Sequence, residues 1–252
     1  MQNLIGGRAR LAPSPESARI PQARPTPRSH VADPTRWTLI EAVRRAEPSA
    51  RELFAQRYLP VVRAYLESRW RSSRLRSEAE DAAQEVFARC FEQQGPMSRL
   101  KTDQPGGFRA YLYGLSRNVA REFERRGKRP DSVELDELAE QEREKAPSQV
   151  FDKAFATQVM REARECFAAR SRAEGGAAAQ RLALLELRFD QGLPIRDIAK
   201  KWGADAARLH HDFARARKEF KQTLLEVVAE QQSNANPEQV ERTARELVEM
   251  LR

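Results

Sequence analysis

The chain is 252 residues long, enough for one large or two small domains, and with 33% charged and 40% hydrophobic residues it can build small cores but not a deep one. Its 45 lysines and arginines against 37 acidic residues leave a net charge of +8, which suits a partner carrying phosphates and equally describes a merely soluble basic protein. No stretch approaches the ~18 consecutive apolar residues of a membrane span, and the N-terminus lacks a continuous apolar signal core, so no membrane segment and a cytoplasmic location are expected. Cys90 and Cys166 fall in helical patterns without CxxC neighbours or clustered histidines, which predicts structural buried thiols in a reducing compartment and no metal site.

Residues 1–32 interleave Pro13, Pro15, Pro21, Pro25 and Pro27 with five arginines and few large apolar residues, and read as a disordered arm. From Asp33 onward the pattern is helix after helix. Asp33-Pro34 resembles an N-cap followed by proline at the first helical position, with Trp37, Ile40 and Val43 as the apolar face. Ser49-Ala50-Arg51-Glu52 and Ser77-Glu78-Ala79-Glu80 both have capping-box spacing and predict helix starts. Ala79, Ala83, Val86, Phe87, Cys90 and Phe91 then recur at three- and four-residue intervals. Lys101 to Gly107 has loop chemistry, and helix resumes through Phe108, Leu112, Leu115, Val119 and Phe123 until Gly127.

Between Gly127 and Ser148 the composition turns acidic, with Asp131, Glu134, Asp136, Glu137, Glu140, Glu142 and Glu144. A linker or weakly helical bridge at 129–150 is expected, dividing a first domain (33–128) from a second (151–231). The second opens on one helical face, Phe151, Phe155, Val159, Ala163 and Phe167, broken by Gly175-Gly176. Helices follow at about 177–190, 195–202 and from Asp205 toward Glu230. A C-terminal helical extension, 232–252, begins near Asn236-Pro237. No β pattern is evident, and the fold class predicted is all-α.

Within Ile195 to Phe213 the spacing is specific: Ala199, Gly203 four residues on and Leu209 six further, with Ile195, Ile198 and Phe213 as core positions. A small residue lets two helices cross closely, glycine supports the tight turn, and leucine anchors the second helix, which is the helix-turn-helix arrangement. Leu209 and Phe213 facing inward would turn Arg208, His210 and His211 outward, where they could meet base edges or phosphates. Arg215, Arg217, Lys218 and Lys221 at the helix exit either bind phosphate or complement the helix dipole.

Leu187 to Leu193, Ile198-Ala199, Gly203 and Ala214-Arg215-Ala216-Arg217 resemble region 4 of the extracytoplasmic-function subgroup of bacterial sigma-70 factors. Asp81-Ala82-Ala83-Gln84-Glu85-Val86-Phe87, Phe108 to Leu112 and Arg117-Asn118 are similar to region 2. The resemblance covers roughly residues 36 to 228 and implies two small helical domains joined by the acidic linker. It implies core RNA polymerase as partner, through the β′ clamp and β flap, together with promoter DNA; an anti-sigma factor is a further partner the family admits.

By the resemblance, Asp81, Gln84 and Glu85 make the polar clamp contacts. The −10 element falls to Lys101, Asp103, Arg109, Tyr111, Tyr113, Asn118, Arg121, Arg125 and Arg126, with Tyr111 and Tyr113 as stacking aromatics. Tyr111 stands where relatives often carry tryptophan, which also fits a core role. The −35 element falls to Arg208, His210, His211, Arg215, Arg217 and Lys218. This chain's Asp205 to Asp212 departs from the family's usual recognition helix, so no −35 sequence transfers. A helix-turn-helix repressor or activator acting without polymerase is the alternative. No Gly-rich phosphate loop, nucleophile elbow or converging carboxylates are present, so neither an enzyme nor a cofactor is expected.

Overall fold

Helices form where apolar residues recur every three to four positions, and among the described residues helix is the only regular structure besides turns. The computed structural model describes residues 36–92, 95, 97, 107–126, 137–230 and 236–251, with backbone alone at 36–38 and 137–142. The expected arm at 1–32, the Asp33-Pro34 cap, loop residues 101–106 with Lys101 and Asp103, Gly127 and linker positions 129–136 lie outside the described residues. The all-α fold class holds.

In chain order the helices are α1 (Arg36–Arg44), α2 (Pro48–Arg69), a short 3-10 turn (Arg74–Glu78), α3 (Ala79–Phe91), α4 (Gly107–Arg126), α5 (Glu137–Glu174), α6 (Gly176–Phe189), α7 (Ile195–Trp202), α8 (Ala206–Ala229) and α9 (Pro237–Glu249). Neither expected capping box forms. Pro48, whose fixed φ suits the first helical turn, starts α2 behind Glu47, so Ser49 is already helical. Ser73 rather than Ser77 caps the next element, accepting from the Leu75 amide, and Ser77 donates instead to the Arg74 carbonyl. A capping box does form at α9, where the Asn236 side chain accepts from the Gln239 amide at 2.9 Å and the Gln239 side chain accepts from the Asn236 amide.

The core centres on α2. Phe54 meets the rings of Phe87 and Phe108 at 5.8 and 5.7 Å, binding α3 and α4 to it. Of the face that was expected to open a separate domain, Phe151, Phe155, Val159 and Ala163 are buried in this same core, whereas Phe167 packs in a separate cluster with Leu182, Leu185 and Ala216. Each large side chain so buried is worth about 1.5–3 kcal/mol, so α5 is held to α2 by several such increments. The cluster continues into Leu224, Val227 and Val228 of α8 and Val240, Ala244 and Leu247 of α9. Of the two expectations for the acidic segment, linker or weakly helical bridge, the described part is helical: from Glu137 it is the first part of α5, a 38-residue helix running through Pro147 into the second half of the chain.

What fixes the acidic end of α5 is a buried polar network. Arg69, its side chain 2% exposed, donates to both oxygens of Glu124 on α4 at 2.8 and 3.0 Å and to Glu144 on α5. Glu144 also accepts from the hydroxyls of Tyr65 at 2.8 Å and Tyr113 at 2.7 Å, while the Trp70 indole donates to Glu124 at 2.9 Å. Burial alone raises the Glu124 carboxyl, but the Arg69 and Trp70 hydrogen bonds and the nearby guanidinium charges outweigh it and hold the group below its ordinary 4.5. Burial raises the Tyr65 phenol, so this hydroxyl stays a donor.

Removing Arg69 strands the buried Glu144 carboxylate and the half-buried Glu124. Arg69→Ala should destabilise the fold by about 3–5 kcal/mol, read from urea midpoints at constant slope. Because Glu124 has a depressed folded pKa, its stabilisation is present above 4.5 and disappears as pH falls through the folded value. The stability gap between the parent chain and Glu124→Gln should therefore be largest near neutrality and shrink on acidification below about pH 4. An unchanging gap would show that the carboxylate charge is immaterial.

Among the described residues Ala46 is the non-glycine residue in the left-handed region, with φ 61°, in a turn where the Glu47 amide donates to the Ala42 carbonyl at 3.1 Å. Ala46→Gly should stabilise the chain by about 1 kcal/mol, measured by thermal unfolding.

Candidate nucleic-acid interface

The α7–α8 unit is assembled by local rules. Gly203 ends α7 at φ 61° and ψ 32°, and the Ala204 amide returns to the Ala199 carbonyl at 3.0 Å. Asp205 then starts α8, its carboxylate accepting from the Ala207 and Arg208 amides at 3.2 Å each. Leu184, Ile195, Ile198, Ala199 and Leu209 bury a small core against which Trp202 and Phe213 pack. Thus the helix-turn-helix spacing corresponds to a real crossing of two helices. A β-carbon at Gly203 would meet nothing within 4 Å, so the glycine is required by its dihedral and not by crowding.

This packing turns Arg208, His210, His211, Arg215, Arg217 and Lys218 of α8 to solvent. Three of the cations are partly occupied. Arg208 lies 3.8 Å from Asp212, Arg215 donates to Glu219 at 3.0 Å, and the Arg217 guanidinium sits 5.8 Å from the centre of the Phe213 ring. On α7, Arg196, Lys200 and Lys201 are also exposed, and they extend the basic residues beyond those expected from sequence. Phe189 on α6, 67% exposed, places its ring 5.8 Å from Phe213 and is a further surface feature not singled out by sequence.

On α3, Asp81 and Gln84 are exposed, while Val86 and Phe87, expected as partly core, are buried. Glu85 is half-buried and accepts from Arg89 at 2.9 Å; Arg89 in turn grips Glu122 of α4 with two hydrogen bonds of 2.8 and 2.7 Å. Those bonds hold the Glu122 carboxyl below its ordinary value and raise Arg89. Asp81 and Gln84 therefore present a free polar edge, and Glu85 is engaged in joining α3 to α4.

The residues expected to handle the −10 strand divide along α4. Asn118, Arg125 and Arg126 are exposed, with Arg126 5.5 Å from the Phe123 ring centre, and Arg121 is half-buried. Tyr111 and Tyr113 differ from their expected stacking role. Tyr111 packs against the core with its hydroxyl beside Cys90, and burial raises its phenol. Tyr113 meets the rings of Tyr65 and Phe151 at 5.6 and 5.3 Å and donates to Glu144. Both rings are held by protein contacts, Tyr113 by α2 and α5 and Tyr111 beside Phe108 and Cys90 of α3. Arg109 likewise donates to Asp152 of α5 at 3.0 Å.

Arg117 was quoted only within the resemblance, yet its Nε lies 3.8 Å from Glu144 and is buried without a hydrogen bond. Burial pushes the Cys90 thiol up to about 12, which suits a structural thiol; Cys166 is half-buried rather than buried. Among the described residues no helix is long and apolar enough to cross a membrane. Compared with known proteins, the chain matches no protein-family model and no curated sequence.

Asp205→Ala should cost about 1 kcal/mol by loss of the α8 cap, and Leu209→Ala about 2–5 kcal/mol by opening the small core. Thermal unfolding followed by circular dichroism checks both, and an effect at Leu209 no larger than at Asp205 would contradict this anchoring role.

Proposed function

We propose that this chain is a helix-turn-helix DNA-binding protein, and within that class a sigma-type initiation factor that recruits core RNA polymerase to promoters. The observation that carries the proposal is the α7–Gly203–α8 crossing with its outward Arg208, His210, His211, Arg215, Arg217 and Lys218. Such a helix fits the major groove, where arginine can read guanine and flanking cations fix register on phosphates. The exposed Asp81 and Gln84 edge of α3 supports the clamp contact implied by the region 2 resemblance. Arg121, Arg125 and Arg126 supply cations for the −10 strand. The β flap and an anti-sigma factor belong to this reading as further partners.

A second reading is favoured by one observation. A single buried cluster runs from Leu39 to Leu247 through both halves of the chain, as suits a duplex-binding regulator that works as one body.

Run-off transcription with purified core polymerase separates the two. Initiation that requires the chain and weakens in Asp81→Arg/Gln84→Ala is expected of the initiation factor. Footprinting of duplex DNA by the chain alone, without association with core polymerase, would instead identify the regulator. In either case Lys218→Ala should lower the log-log salt slope of duplex binding by about 0.9, one phosphate contact, measured by anisotropy titration.

A further inference from the structure

Arg109, Tyr113 and Arg117 stand four residues apart on α4 and so share one face of the helix, spanning about 12 Å. Each is engaged by a carboxylate of α5 in antiparallel order: Arg109 by Asp152, and Tyr113 and Arg117 by Glu144. Two carboxylates eight residues apart therefore meet a basic stripe of the same length. Carboxylate and phosphate oxygens use the same charge-assisted geometry toward guanidinium groups, so what engages this stripe inside the fold is an anionic surrogate for a nucleic-acid backbone.

Pro147 lies between the two carboxylates. It has no N–H to give to the preceding turn, and an interior proline costs a helix about 3 kcal/mol, so α5 is weakest there. The large apolar anchors, Phe151 and Phe155, are all on the C-terminal side of Pro147. Glu144 is on the other side, in a segment carrying Glu137, Glu140 and Glu142 as well. Withdrawing Glu144 would leave Arg69 both of its hydrogen bonds to Glu124, while Arg69 Nη1 would have to take water in place of the carboxylate. Tyr65 and Tyr113 would each lose one acceptor.

We infer that residues 137–146 form a built-in strap that occupies the α4 face on which a single-stranded DNA backbone would bind, and that it opens at Pro147 while the rest of α5 stays docked. This inference rests on the reading of α4 as a strand-binding surface. In the closed state Arg117 is held by an ion pair without a hydrogen bond and Tyr113, half-buried, is hydrogen-bonded to Glu144. In the open state both face solvent beside Arg109 and Arg121.

The test uses the full chain and a fluorescein-labelled single-stranded DNA oligonucleotide of mixed sequence, with anisotropy as readout and hydrogen exchange reporting on residues 137–146. Glu144→Gln keeps the volume and removes the charge, and should bind the oligonucleotide about fivefold more tightly at low salt. Adding Arg117→Ala should abolish that gain. Pro147→Ala closes the hinge and should weaken oligonucleotide binding while slowing exchange in 137–146.

An unchanged affinity in folded Glu144→Gln, or a gain that survives Arg117→Ala, would overturn the strap. If Glu144→Gln does not fold, Pro147→Ala decides alone: weaker binding supports the strap and unchanged binding refutes it. Core-dependent transcription tests the initiation reading separately, so an active chain whose oligonucleotide affinity ignores Glu144 would lose the strap and keep the function.

Discussion

Arg69 is buried between two carboxylates on two different helices, and this arrangement obliges α2, α4 and α5 to meet in one register. A guanidinium taken out of water is stabilised most when its donors are all paired; Glu124 holds two of them, and Glu144 completes the set when the acidic end of α5 is docked. Tyr65, Tyr113 and Trp70 complete the remaining bonds. Apolar packing of Phe151 and Phe155 supplies most of the adhesion, but it is non-directional and would accept neighbouring registers. The polar network selects one of them.

That selection has consequences at both ends of the molecule. It brings the acidic half of α5 over the Arg109, Tyr113 and Arg117 face of α4, which is why Tyr113, expected to stack on bases, is turned into a protein contact, whereas Tyr111 is taken up beside Cys90 of α3. It also commits the C-terminal part of α5 to the side of α8 and α9, where Thr223 and Leu224 are buried and Arg170 reaches Glu226 at 2.8 Å. The recognition end of α8 projects beyond this packing, so its cations remain exposed. A separate small core around Ile198 and Leu209 positions that end.

Charge is distributed unevenly between the two candidate surfaces. On α8 the outward cations have at most one acidic neighbour each, in exposed or half-buried pairs, and such pairs cost little to open. On α4 the arginines nearest α5 are tied to groups on another helix. The α8 cations are thus exposed, whereas Arg109 and Arg117 of α4 are engaged by α5. In an initiation factor this would make duplex recognition and strand capture separable steps.

Much of this was determined by the sequence alone. Helical periodicity located α3, α4, the part of α5 from Phe151 and the helices from α6 to α9, and Ala199, Gly203 and Leu209 defined the crossing of α7 and α8, because these features depend on local spacing and on one left-handed residue. Outward orientation of Arg208, His210 and His211 followed from the inward anchors on the same helix. The tertiary structure alone decided the role of the acidic segment. Its composition reads as a solvated linker, and only the arrival of Arg69, Tyr65 and Tyr113 from helices tens of residues away makes Glu144 a buried acceptor. The same holds for Pro60 and Pro147, which sit inside helices although local chemistry would break them. Partners distant in sequence leave no local signature, and they fixed both the main core that joins α2 to α5, α8 and α9 and the covering of α4.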